Sequence, residues 1–239
     1  MRIAIVSDIH GNLTAFEAVL ADLREVSPDL IFHGGDLVHG GANSVEIVDR
    51  IRDLGWAGVL GNTDELLFRP ASLTEFGSKL PQLKPLWDSI EEMAVVEREW
   101  LGEERLAWLA GLPFKQVHES MALVHAGPDS CWRAPMPEAA DEELEKVYSS
   151  LGQPVAVYAH VHRSFVRTLP AMTVVNTGSV SMSHDGDRRA SYLLLEDGKA
   201  EIRRVEYDVD REVKALRACG LPHAEWIARI LESARPQMP

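Results

Sequence analysis

The chain has 239 residues, enough for one large α/β domain, and at 46% hydrophobic and 26% charged it can bury a sizeable core. Its formal net charge of −13 excludes a protein that grips duplex nucleic acid by the phosphate backbone, since that takes a basic footprint. A small phosphorylated substrate stays open, because bound metal ions can be the largest local charges in a site.

The first apolar run, residues 3–6, reads as a buried strand and is too short for a signal peptide or a membrane span. Residues 12–26 then carry Leu13, Phe16, Val19, Leu20 and Leu23 at helical spacing, until Ser27-Pro28-Asp29 breaks the pattern. A second strand over 30–32 ends at Gly34-Gly35-Asp36, a helix over about 43–54 follows, and 58–60 leads into Gly61-Asn62. Strand and helix alternate with short loops, which predicts βαβ units with parallel strands and right-handed crossovers. From 64 to 112 the character changes to helical segments rich in Leu, Glu and Trp, interrupted at Pro70, Pro81 and Pro85. This reads as a helical insertion or cap, with Trp87, Trp100 and Trp108 as core.

Residues 114–118 and 121–125 read as a hairpin and 141–151 as a helix; its acidic run 138–145 reads as a solvated face. Strands follow over 155–159 and within 165–175, then a last hairpin turns at Glu196-Asp197-Gly198-Lys199. Two terminal helices, about 211–218 and 223–234, make a C-terminal extension over 208–239 that either covers the site or builds a homodimer interface. Cys131 and Cys219 lie far apart and point to no disulfide framework, so the expectation is a soluble cytoplasmic protein with no membrane partner.

Most of the predicted strands end at a residue able to bind a hard divalent metal. The fragments are Asp8-Ile9-His10, Gly34-Gly35-Asp36, Gly61-Asn62-Thr63-Asp64, Val124-His125-Ala126-Gly127 and His160-Val161-His162, with Asn12 and Asn176-Thr177-Gly178 beside them. Ligands bind at strand carboxyl ends in open α/β sheets. Asp, His and Asn without thiolate suit Mn²⁺, Fe or Zn²⁺ better than a soft metal or a calcium cage. Asp8 and His10, two apart at a strand end, can face one point, and Asp36 after its glycine pair can approach closely enough to bridge two ions. Asn62 adds a neutral oxygen, and His125, His160 and His162 complete the set. Two ions spaced for phosphoryl transfer would generate a bridging hydroxide able to attack phosphorus in line.

The order Asp-x-His, Gly-Asp, Gly-Asn-x-Asp, His-x-Gly, His-x-His resembles the calcineurin-like metallophosphoesterase family, in particular its small bacterial and archaeal phosphodiesterase-like members. The resemblance implies a four-layer α/β/β/α sandwich of two mixed β-sheets flanked by helices, matching the strand reading. It implies one metal on Asp8, His10, Asp36 and His162, and a second on Asp36, Asn62, His125 and His160. Two divalent ions are expected, Mn²⁺ first, with Fe, Zn²⁺ or Ni²⁺ as alternatives.

One position departs from the family. Many members have His directly after Gly-Asn, where it meets the phosphate or protonates the leaving group; this chain has Thr63. A hydroxyl donates a hydrogen bond but is no general acid near neutral pH, which makes His39 the candidate proton donor. Thr63, Asn12 and Arg163 are the candidate substrate-binding residues, Arg163 through a bidentate grip on a phosphate oxygen. Two of them have a plainer role: Asn12 as a helix cap, Arg163 in a surface ion pair. Asp64 either orients a ligand or caps the insertion. His33, His118, His184 and His223 read as structural or surface residues.

The expected activity is hydrolysis of small nucleotide phosphodiesters, such as cyclic nucleotides, through a metal-bridging hydroxide. The alternatives are a dinucleoside polyphosphate hydrolase, a phosphomonoesterase or phosphoprotein phosphatase, and, from another class, a non-catalytic scaffold of the same fold.

Overall fold

The computed structural model describes residues 1–239. Strand β1 (Arg2–Val6) alternates its side chains between two apolar layers, as a period of two requires. Ala4 and Val6 pack with Phe16, Val19, Leu20 and Leu23 of helix α1 (Leu13–Val26), while Ile3 and Ile5 face the other way, into a second sheet. Helix α1 leads to β2 (Leu30–His33), helix α2 (Ser44–Leu54) to β3 (Ala57–Gly58), and the three strands pair in parallel. The predicted βαβ reading holds, with the third strand shorter and earlier than its apolar run implied.

The second sheet starts with the hairpin β4 (Lys115–His118) and β5 (Met121–Val124) and continues through β6 (Val155–Tyr158), β7 (Phe165–Thr168) and β8 (Thr173–Asn176). Its order is β4-β5-β6-β8-β7, and it mixes parallel and antiparallel pairs. Met121, Leu123, Val155 and Val157 face Ile3 and Ile5 across the interface; Ala122, Val124, Ala156 and Tyr158 face helix α6 (Asp141–Tyr148). Hairpin β9 (Ala190–Glu196) and β10 (Lys199–Val205) returns to the first sheet beside β1, giving β10-β9-β1-β2-β3. The layers run helix, sheet, sheet, helix, as expected.

Between β3 and β4 the chain is helical: α3 (Asn62–Phe68), α4 (Ala71–Gly77), a 3₁₀ turn (Pro81–Leu83) and the long α5 (Lys84–Ala110). Pro85 does not interrupt α5. It sits in the first turn, where its missing N–H has no helical partner to lose. The break comes instead at Gly102, whose φ of 67° leaves helical space inside α5. The terminal helices α7 (Val209–Ala218) and α8 (Ala224–Ser233) bury Val213, Leu216, Trp226, Ile227 and Ile230 against Met93 of α5 and Met182 of the β8–β9 loop. They therefore lie over the loops at the strand carboxyl ends. No helix is long and apolar enough to cross a membrane.

Candidate metal centre

Six non-glycine residues near the strand ends hold left-handed backbone: Asp8 (φ 54°), His10 (48°), Asp36 (52°), His39 (81°), His160 (67°) and His162 (57°). Such conformations are uncommon for L-residues and persist where the surroundings over-determine them, which is typical of functional sites. All but His39 turn the chain sharply close behind a strand, so that their side chains converge. Glycine supplies the close approach: a Cβ on Gly61 would lie 2.1 Å from the Asp36 backbone nitrogen, and one on Gly41 would lie 2.0 Å from the His10 carbonyl oxygen.

Two clusters result, and Asp36 belongs to both. Donor atoms of Asp8, His10, Asp36 and His162 lie within 4.8 Å of one another, as do those of Asp36, His125 and His160. Asn62 completes the second cluster, its Oδ1 lying 3.0 Å from His125 Nε2 and 2.8 Å from His160 Nδ1. All seven are inside the protein, with only His160 partly exposed.

Three imidazoles are held in one tautomer by backbone carbonyls. His10 Nδ1 donates to His39 O (2.9 Å), His125 Nδ1 to Gly34 O (2.8 Å) and His162 Nδ1 to Met182 O (2.6 Å). Each Nε2 lone pair is thereby aimed into the site, the arrangement by which outer hydrogen bonds orient metal-binding histidines. His10 Nε2 and His162 Nε2 lie 3.2 Å apart. Two facing lone pairs at that distance repel unless a proton or a cation sits with them.

The charges agree. Burial pushes His10 and His160 down to about 4, so both stay neutral and able to coordinate. Burial also pulls on His125, but the Asp36 carboxylate 3.3 Å away raises it to about 9, and His125 in turn holds Asp36 low. Without a cation the second cluster therefore keeps a proton on His125 to balance Asp36. Neutral nitrogen and carboxylate donors around a deficit of positive charge fit two hard divalent ions.

A further ring of contacts fixes the ligands. Asp64 accepts backbone N–H from Asp36 (2.9 Å), Leu37 (2.9 Å), Val38 (3.3 Å) and Gly61 (3.1 Å), clamping the two ligand loops together. Burial and the nearby Asp36 charge push its carboxyl up to about 7 against these donors. Asp8 Oδ2 accepts from Ser7 Oγ (2.7 Å), and His184 stacks on His162 with ring centroids 4.8 Å apart.

The chain matches the calcineurin-like phosphoesterase superfamily domain over residues 1–199, a stretch that holds all seven clustered residues. It belongs to that family. The protein is accordingly a hydrolase of phosphoester bonds with a metal-binding centre. An uncharacterised protein of Methanocaldococcus jannaschii is 31% identical over 252 residues, covering 96% of each chain. A symmetrical bis(5′-nucleosyl)-tetraphosphatase of Pectobacterium carotovorum is 30% identical over 160 residues, 65% of this chain and 53% of that enzyme. The match thus spans about half of the tetraphosphatase. Among solved structures, a metallophosphoesterase from Sphaerobacter thermophilus superposes with a TM-score of 0.79 at 25% identity, over 98% of this chain and 100% of that one. A hypothetical protein from Pyrococcus horikoshii shares the fold, with a TM-score of 0.83 at 19% identity over 96% and 97%.

The remaining candidate residues of this phosphoesterase are already hydrogen-bonded or ion-paired within the chain. Asn12 caps α1, its Oδ1 accepting from Ala15 N (2.9 Å), and its amide reaches Ser181 Oγ (3.2 Å). Thr63 Oγ1 donates to Val38 O (3.0 Å) and its N–H to Asp36 Oδ1 (2.9 Å), so the hydroxyl is already used by the backbone. Arg163 pairs with Glu138 at 2.5 Å. His39 is buried, its Nδ1 2.7 Å from Glu97 Oε2, and its ring is outside both metal clusters. Glu97 and Met182 carry no signal in the sequence, since neither lies in a ligand motif and each meets its partner through the fold; His184, read as structural or surface, stacks on His162 for the same reason.

Proposed function

We propose that this phosphoesterase cleaves P–O bonds of small nucleotide phosphodiesters, using two divalent ions held by Asp8, His10, Asp36 and His162 and by Asp36, Asn62, His125 and His160. Mn²⁺ is the first choice for both positions on donor type. When bound, such a pair supplies an activated water and neutralises charge on the transferring phosphoryl group. The protein's part is to hold seven donors rigidly: the carbonyls of His39, Gly34 and Met182 orient three imidazoles, and Asp64 keeps the Asp36 and Asn62 loops in register.

The observation that carries the substrate choice is Thr63. Its hydroxyl donates to Val38 O, so no side chain beside Asn62 is free to protonate a leaving group. Substrates whose leaving group needs little protonation are then favoured, and among nucleotide diesters those are the 2′,3′-cyclic phosphates, whose strained five-membered ring opens readily. A leaving phosphate needs least help of all, which supports dinucleoside polyphosphates as a second reading, in keeping with the tetraphosphatase relatives. Two unpaired cysteines, Cys131 and Cys219, fit a reducing compartment such as the cytoplasm.

The deciding experiment follows hydrolysis of 2′,3′-cyclic AMP, diadenosine tetraphosphate, bis-p-nitrophenyl phosphate and p-nitrophenyl phosphate by metal-stripped protein reconstituted with Mn²⁺, Mg²⁺ or Zn²⁺. Diester or polyphosphate turnover exceeding monoester turnover supports the proposal. A clear preference for the monoester overturns it.

A further inference from the structure

Beside the metal centre, a cavity of about 480 Å³ opens between α4 and the loop that follows β5. Gly127 of its lining lies two residues past His125, so that wall starts within about 7 Å of chain from a metal ligand. The aromatic rings of Phe76 and Trp132 stand on the wall with centroids 5.3 Å apart, tilted by 35°. Trp132 is fixed from behind, its Nε1 donating to Glu65 Oε2 at 2.6 Å, and Glu65 lies one helical turn from Asn62.

Two further features ask for a ligand. Ser72 is only 2% exposed, and its hydroxyl has no hydrogen-bond partner although it lines the cavity. Buried polar groups are nearly always paired, by the protein or by something bound. Lys79 and Arg133 line the cavity with no carboxylate in ion-pair contact, whereas the neighbouring Arg69 is taken by Glu65 and Glu75. The lining carries three cations, Arg69, Lys79 and Arg133, and two exposed carboxylates, Glu75 and Asp129; with Glu65 behind Arg69 the charges balance, and Lys79 and Arg133 are the cations no ion pair engages.

We infer that this cavity is a subsite for a nucleoside 5′-phosphate portion of the substrate, distinct from the phosphoryl group held at the metals. The base lies on the Phe76–Trp132 shelf, the phosphate is drawn to Lys79 and Arg133, and the Ser72 hydroxyl meets the sugar or base edge. Aromatic stacking and charge-assisted contacts are the usual means of holding a nucleotide without reading its sequence. The inference rests on the nucleotide reading above but not on the scissile bond.

Isothermal titration of the Mn²⁺-loaded full chain with AMP, ribose 5-phosphate and inorganic phosphate tests it, because binding is read without turnover. The double substitution Lys79→Ala/Arg133→Ala should weaken AMP at least about tenfold, the usual loss with charge-assisted hydrogen bonds. Inorganic phosphate, held at the metals, should bind unchanged. Phe76→Leu should weaken AMP but not ribose 5-phosphate. AMP affinity that is unchanged by the double substitution, or that falls in parallel with phosphate, overturns the subsite. Equal loss of AMP and ribose 5-phosphate in Phe76→Leu overturns the base contact. Should no diester or polyphosphate be hydrolysed while AMP and phosphate still separate in this way, the proposed activity fails and the subsite stands.

Discussion

Glu97 Oε2 lies 2.7 Å from His39 Nδ1, and through this pair helix α5 reaches the metal centre. Glu97 is fully buried; it also accepts from Ser44 Oγ (2.8 Å) and Gly40 N (3.3 Å). The His39 carbonyl in turn holds His10 Nδ1. A ligand on the first βα loop is thus oriented by a carboxylate on a helix far along the chain. Glu97→Ala strips three donors of their acceptor at once and should cost about 3 kcal/mol in stability, in line with breaking a buried charged network. Turnover should fall by at least about tenfold as His10 loosens. Urea unfolding and kcat at saturating metal check both, and a stable, fully active variant would remove this link.

The same contact recasts His39. Its Nδ1 is committed to Glu97, and its Nε2 is buried with no partner, so we assign it a positioning role rather than that of leaving-group acid. His39→Ala should then lower kcat by the same factor on p-nitrophenyl and on alkyl diesters. A loss confined to the poor alkyl leaving groups would restore the acid role.

Asp36 is shared between the clusters and His162 belongs to one. Asp36→Ala should therefore abolish tight binding of both ions, while His162→Ala should keep one. Equilibrium dialysis with Mn²⁺ counts them. Both substitutions should leave the circular dichroism spectrum intact and cut turnover by at least about a thousandfold, since two-ion catalysis needs both partners. Retention of both ions in Asp36→Ala would end the shared-ligand assignment.

Away from the centre, Asp22 of α1 accepts from Tyr192 (2.6 Å) and Arg203 (2.9 Å) on the β9–β10 hairpin. Burial pushes its carboxyl up, but the Arg203 and Tyr192 hydrogen bonds outweigh it and hold Asp22 below the usual carboxylate range. A depressed folded-state value contributes stability above about pH 4 and loses it as the pH falls through that value. Asp22→Asn should accordingly destabilise the protein by about 1 kcal/mol at pH 7, a small figure because the pair is half-open to water. The difference from the unmodified chain should shrink below about pH 4. Urea midpoints at pH 7 and pH 3 test this, and a pH-independent difference would deny the ionic contribution.

Sequence by itself determined the layer order and picked out the seven candidate metal-binding residues that converge at the strand ends, because both are encoded locally. A strand of period two, a glycine or a turn, and then Asp, His or Asn can be read within ten residues at Asp8, Asp36, Asn62 and His125, and the facing of Ile3 and Ile5 against Ala4 and Val6 follows from the pleat. Only the tertiary structure decided how those ligands are held and what the polar neighbours do. Thr63, Asn12 and Arg163 sit beside the motifs, yet Val38 O, Ala15 N and Glu138 engage them. Glu97, 58 residues from His39, and Met182, 20 residues from His162, complete the support of the centre. A buried donor takes whichever acceptor the packing of distant segments brings within about 3 Å, and no local pattern carries that information.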